Sequence, residues 1–276
     1  MNRNGLNLVG IVICVIIVAG YFALQYLFGH LHHFGKTEGN PEIFDLTDIE
    51  VVELISEDSE KFKAWIKPPS GDAPVIFVFM GNGASIGPYV SSLKSYLNQG
   101  FGLAALVYRG SSGAGGEPSE AVIAADARTL YDKLNSLMDK QIPGKQRVSY
   151  GYSFGTGVAV TLAAEREFSG VVLVAAYSRL CDVLTEQFRG IPMCLIMYRE
   201  RYDSIHRIAK INARLLMLHG EQDKAVDIGL GKRLFETAAQ PKQFISYENG
   251  THLNLNSLGI EDEIISFFNT AAGVSN

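Results

Sequence analysis

Arg147-Val148-Ser149-Tyr150-Gly151-Tyr152-Ser153-Phe154-Gly155-Thr156-Gly157 is the stretch on which the fold turns. It starts as a short run with strand character and passes through Gly-x-Ser-x-Gly into a helical pattern over Gly157–Arg166. A serine on such a sharp strand-to-helix turn is held in a strained backbone conformation at the end of a sheet, and small glycines on either side let strand and helix approach. Glycine accounts for 28 of the 276 residues, so the five-residue pattern arises easily by chance. Its position between a strand and a helix makes it informative. The bland alternative is a Gly/Ser turn in which Ser153 merely caps a helix.

A serine hydroxyl attacks a carbonyl only when a base removes its proton. Three histidines follow Ser153: His206, His219 and His252. His252 sits in the turn Asn249-Gly250-Thr251-His252, directly after the strand-like Phe244–Tyr247. His219 ends the strand-like Arg214–Leu218 but precedes the best acid, which gives the wrong order. His206 lies among Arg201, Arg207 and Lys210 and reads as a surface residue. The acid expected to orient His252 is Asp223, in His219-Gly220-Glu221-Gln222-Asp223 after a strand; Glu221 and Asp227 are rivals on the same loop. An oxyanion site needs two backbone N–H groups aimed at one point. Phe154, after the serine, supplies one. Asn82 in Met80-Gly81-Asn82-Gly83 is the choice for the other, with Gly83 next.

Working outward, strands alternate with helices, the mark of a mostly parallel central sheet flanked by helices. Val51–Ser56 and Phe62–Ile66 read as an antiparallel opening pair. Val75–Met80, Leu103–Val107, Arg147–Tyr150, Val171–Ala175, Arg214–Leu218 and Phe244–Tyr247 read as the later strands. Tyr89–Leu97, Ser119–Met138 and Glu261–Thr270 read as helices. The alternation lapses over about 177–211, the expected small cap. Within it, Ile191–Tyr198 is unusually apolar, which fits either the wall of an acyl pocket or a core helix packing the cap on the sheet.

Leu6–Phe28 is almost wholly apolar and matches the roughly 20 residues that span a bilayer. Residues 1–30 are therefore expected to be a single-pass membrane anchor, 29–41 a short linker, and 42–276 the enzyme domain. The run ends without a small-residue cleavage site, unlike a signal peptide. Charges flanking it barely set the orientation; the reading is a cytoplasmic amino terminus with the domain on the non-cytoplasmic side. Cys181 and Cys194 would pair there if their separation permits. A net charge of −5 makes nucleic acid an unlikely kind of partner. No Cys/His cluster has metal-ligand spacing, and no cofactor is called for. Nothing in the sequence sets the oligomeric state.

Tyr108-Arg109-Gly110-Ser111-Ser112-Gly113-Ala114-Gly115-Gly116-Glu117-Pro118-Ser119-Glu120 resembles the Tyr-Arg-Gly…Pro-Ser-Glu signature of the Bem46-like α/β-hydrolases, the relatives of alpha/beta-hydrolase domain-containing proteins 12, 13 and 17. Gly81-Asn82, the Gly151–Gly155 turn, Arg201-Tyr202-Asp203-Ser204, Leu218–Asp223 and Gly250–His252 are similar to the same family, over about residues 50–270. The resemblance implies the α/β-hydrolase fold and a serine hydrolase for esters or thioesters. Its known members include lysophospholipases and protein depalmitoylases, often membrane-tethered. Two positions depart from it: Met80 stands where the family usually has His, and Asp227 where a proline often follows the acid.

The reading of the whole is a serine esterase or thioesterase acting on lipid-like acyl substrates through Ser153, His252 and Asp223. A serine peptidase of the same fold and a catalytically silent, membrane-tethered interaction protein stay open beside it.

Overall fold

The structure is a computed structural model that describes residues 3–29, 31–37 and 39–273; in the first helix, side chains are described for 11–24 and Tyr26 alone. Met1, Asn2 and His30 of the expected anchor, Glu38 of the expected linker, and residues 274–276 of the expected domain lie outside the described residues.

Helix α1 (Arg3–Gly29) leads into an eight-stranded sheet. The chain then runs β1 (Glu50–Ile55), β2 (Lys61–Lys67), β3 (Val75–Phe79), α2 (Ile86–Ser91), α3 (Lys94–Asn98), β4 (Gly102–Val107), α4 (Glu120–Leu137), β5 (Arg147–Tyr152) and α5 (Phe154–Ala163). It continues through β6 (Gly170–Val174), α6 (Leu180–Gln187), α7 (Met193–Ile196), β7 (Arg214–Gly220), α8 (Ile228–Thr237), β8 (Lys242–Tyr247) and α9 (Ile260–Ala272). The spatial order is β1-β2-β4-β3-β5-β6-β7-β8. β2 pairs antiparallel with β1 and β4; every later pair is parallel. β3, β4 and β6 are buried at every position, as strands covered on both faces must be. Ligands in such sheets bind beyond the carboxyl ends of the strands.

Helix α1 covers the apolar run expected to cross a membrane, but among the described residues no helix is long and apolar enough to do so. The continuous stretch of described side chains, 11–24, covers about 21 Å at 1.5 Å per residue, against roughly 30 Å of hydrocarbon core. Those side chains are exposed: Ile16, Ile17 and Phe22 by 64%, 65% and 65%.

The segment after α1 is no slack linker. Gly35 N–H donates to Ala84 O, Ser112 N–H to Gly35 O, and the Lys36 ammonium to Gly110 O. Phe34 is buried against Tyr108 and Phe154, with ring centroids 4.8 and 5.5 Å away. Residues 31–37 thus form a strap across the loops that follow β3 and β4.

The family-like signature turns out to be scaffolding. The Arg109 guanidinium is buried and forks onto Asp126 at 2.7 and 2.9 Å and onto Asp58 at 2.7 and 2.9 Å. A planar guanidinium suits such paired bidentate bonds. Glu120 accepts the Tyr202 N–H at 2.9 Å and the Arg207 guanidinium at 2.9 Å, which joins the start of α4 to the end of the cap.

In the cap, Cys181 and Cys194 form a disulfide with a Cα separation of 4.9 Å. Met193 and Met197 are buried beside that disulfide and Leu184. The Ile191–Tyr198 stretch therefore packs the cap and lines neither cavity that contains Ser153; its apolar exposed members are Ile191, Leu195 and Tyr198.

Candidate active site

Ser153 follows β5 with φ 50° and ψ −117°, a conformation that non-glycine residues rarely adopt. Its own N–H is pinned to Val174 O at 2.8 Å. The turn is possible because its glycines sit where no side chain fits. A Cβ on Gly155 would lie 2.0 Å from Phe79 O, and one on Gly151 2.7 Å from Gly155 O. α5 then leaves directly from the serine, fully buried against the sheet.

His252 follows β8, and Asp223 follows β7. The His252 Nδ1 lies 2.7 Å from Asp223 Oδ2. The other carboxylate oxygen, Oδ1, accepts the N–H groups of Ala225 and Val226 at 2.8 and 2.9 Å. Burial pushes the Asp223 carboxyl up, but the His252 and backbone N–H donors outweigh it and hold the group below its ordinary range. It is therefore ionised at neutral pH. The rivals are occupied elsewhere. Glu221 takes the Ser246 hydroxyl at 2.6 Å, and Asp227 caps α8 by accepting Gly229 N–H at 2.7 Å.

His219 lies behind this pair, buried, with Nε2 3.0 Å from Val226 O and 3.6 Å from Asp223. Burial lowers its pKa, which keeps it neutral and leaves His252 as the imidazole that answers to Asp223. His206 is exposed and pairs with Asp203 at 2.8 Å. Tyr152 donates its hydroxyl to His252 O and so holds the histidine loop from below. Burial, then the charge of Asp223, pushes that hydroxyl up to about 12, so it remains a donor.

Ser153 and His252 line the same two cavities. Among the described residues no hydrogen bond joins the serine hydroxyl to the imidazole. Such links in resting sites are often long and tighten around substrate.

Asn82 and Phe154 flank the serine, and among the described residues no acceptor takes either backbone N–H. Gly83, the other candidate donor, is used: its N–H goes to His33 O. The Asn82 side chain is itself clamped by the strap. Its Oδ1 accepts His33 N–H at 2.8 Å, and its Nδ2 donates to Leu31 O at 3.1 Å. Sequence reasoning missed this clamp. The available signal was Phe34, a large apolar residue in an otherwise polar stretch. Among the described residues, the grouping of possible metal ligands is Cys181, Asp182 and Cys194, and its sulfurs are joined in the disulfide.

The first cavity, about 320 Å³, runs from Ser153 to the cap between Leu31, Phe154, Leu180, Val183, Leu184 and Val226. The second, about 810 Å³, opens on the other side, toward α2 and the histidine loop.

No protein-family model matches the chain. A Mycobacterium tuberculosis protein, Rv2307c, whose function is uncharacterised, is 32% identical over 198 residues, 69% of this chain and 67% of that protein. Human alpha/beta hydrolase domain-containing protein 17B is 27% identical over 152 residues, 55% of this chain and 50% of that one. Lysophosphatidylserine lipase ABHD12 of Danio rerio is 28% identical over 193 residues, 61% of this chain and 48% of that one. The chain thus spans about half the length of these last two relatives. Among solved structures, the Pyrococcus furiosus esterase Pf2001 superposes with a TM-score of 0.68 at 17% identity, over 86% of this chain and 98% of that one. With its eight-stranded, mostly parallel sheet and these relatives, the chain belongs to the Bem46-like family of α/β-hydrolases.

Proposed function

We propose that this α/β-hydrolase cleaves carboxylic ester or thioester bonds of acyl-chain substrates, with Ser153 as nucleophile, His252 as base and Asp223 as its orienting acid. The observation that carries the reading is the 2.7 Å His252–Asp223 bond set beside a serine on a strained turn. Ser153 Oγ attacks the carbonyl carbon while His252 Nε2 takes its proton. The carbonyl oxygen becomes an oxyanion facing the N–H groups of Phe154 and Asn82. Collapse expels the alcohol or thiol, which takes the proton from His252 and leaves an acyl-enzyme; water then repeats the sequence and frees the acid.

The acyl chain belongs in the first cavity, whose walls are mostly aliphatic and aromatic. The membrane reading rests on α1, whose side chains over 11–24 are apolar and exposed; a helix apolar on all sides calls for a nonaqueous neighbour. Leu31, just beyond α1, packs on the cap cluster, so the cap's exposed Phe188, Ile191 and Leu195 lie toward the same end. A disulfide in the cap favours the non-cytoplasmic side for the enzyme domain.

Fluorophosphonate labelling of the full chain tests the nucleophile, and a series of p-nitrophenyl esters tests the acyl site. kcat/KM should climb from acetyl with chain length until the first cavity is full, and Val183→Trp should shorten the preferred chain. A flat profile together with no labelling would leave a silent hydrolase fold.

The strap makes its own prediction. Asn82→Ala keeps the backbone donor but unclamps it. kcat should fall by about ten- to a hundred-fold with KM changing far less, short of the 10²–10³ typical of deleting an oxyanion donor. An unchanged kcat rules out the clamp as a positioning device.

A further inference from the structure

The second cavity has no role in what precedes. It lies between the loop after β3, α2 and the histidine loop, and its wall is rich in hydroxyl and amide groups: Ser85, Tyr89, Ser92, Tyr150, Tyr152 and Asn256. It is also the cavity bordered by the histidine loop beyond His252 itself, through Leu253 and Asn256. His252 borders both cavities; with the acyl chain in the first, a leaving group that collects its proton from His252 is left the second.

Among the described residues, no lysine, arginine, aspartate or glutamate lines this cavity or the first one. The Glu261 carboxylate bears on Tyr150, and the Asp223 carboxylate on Tyr152. Burial first, and those charges after it, push both hydroxyls up, so the wall stays neutral. The Tyr89 hydroxyl is near enough to Tyr150 to bias its ionisation but makes no full hydrogen bond among the described residues. A buried polar group of this kind is satisfied by a ligand that brings its own hydroxyl. A phosphate brought to the same wall would find no lysine or arginine to pair with, and a charge without a partner is strongly disfavoured there.

From this geometry we infer that the second cavity receives the leaving group of the substrate, and that this group is an uncharged, hydroxyl-bearing alcohol and not a phosphate-bearing head group. The inference rests on the hydrolase reading above, and it narrows the substrate to esters whose two halves are both neutral. It also parts company with what the name of the Danio rerio relative, a lysophosphatidylserine lipase, would suggest.

The test compares three hexanoyl esters that dissolve as monomers, offered to the full chain in detergent: the p-nitrophenyl ester, the glycerol monoester and the glycerophosphate monoester. The expected result is a kcat/KM for the glycerol ester about 100-fold or more above that for the glycerophosphate ester. Ser92→Arg, which places a guanidinium on the wall, should shrink that ratio at least tenfold. Equal rates on the two glycerol esters, or a faster phosphate ester, overturn the leaving-group assignment while the hydrolase reading stands. Cleavage of the p-nitrophenyl ester alone overturns it likewise. No cleavage of any of the three overturns the hydrolase reading and the inference with it.

Discussion

Ser153→Ala is expected to lower ester turnover by about 10⁴-fold or more and to abolish fluorophosphonate labelling, since the hydroxyl is both the attacking atom and the labelled one. Folding should be untouched. Alanine shares serine's Cβ and differs by a single oxygen, so the strain at φ 50° is the same for both. The Ser153 N–H bond to Val174 O is a backbone contact and survives the change. The measurement is kcat/KM on a p-nitrophenyl ester beside the thermal midpoint of the same preparation. Turnover within tenfold of the parent at an unchanged midpoint would remove Ser153 from the mechanism.

Asp223→Asn should cost nearly as much, about 10⁴-fold in kcat, and the reason is visible in how the carboxylate is held. Oδ1 is committed to the N–H groups of Ala225 and Val226. In the asparagine variant the amide oxygen keeps those two bonds, which turns the amide nitrogen toward His252. An N–H facing Nδ1 selects the tautomer that carries its proton on Nε2, and that imidazole cannot take the serine proton. Asp227→Asn should do far less, because asparagine caps a helix about as well as aspartate. If the two effects were exchanged, the acid would be Asp227. The Asp223 carboxylate also enters acid stability. Its folded-state pKa is depressed, so its contribution is present above the ordinary aspartate range and is lost as the pH falls through the folded-state value.

The sheet was legible because its signal is local. The runs Val75–Phe79, Gly102–Val107 and Gly170–Val174 are uninterruptedly apolar, and a strand covered on both faces needs that. The placement of Ser153, Asp223 and His252 was equally open, since each residue follows a strand. Helices were read less well where side chains intervene. Tyr89–Leu97 reads as one helix but is two, α2 and α3, broken where the Ser92 hydroxyl turns back onto Tyr89 O. α5 starts at Phe154, earlier than its pattern suggests, because Gly155 and Gly157 are poor helix formers retained for close packing. Ile191–Tyr198 read as either an acyl wall or a helix packing the cap, and the cap's contribution to the first cavity comes from α6 instead. Apolarity announces burial without saying against what. The strap was hidden for the opposite reason: it is held by backbone hydrogen bonds, which leave almost no trace in side-chain composition.

That strap also separates two outcomes of proteolysis that lie only a few residues apart. A cut just before Leu31 would detach α1 and leave the Asn82 clamp with the catalytic part, so the soluble fragment would be a working enzyme. A cut between Lys36 and Pro41 would leave Leu31 and His33 on the α1 fragment, tied to the rest by non-covalent contacts such as the bonds to Asn82, the packing of Leu31 on the cap and the stacking of Phe34. Shedding at the first position leaves the clamp with the catalytic part, while shedding at the second lowers activity by the same factor as losing the clamp.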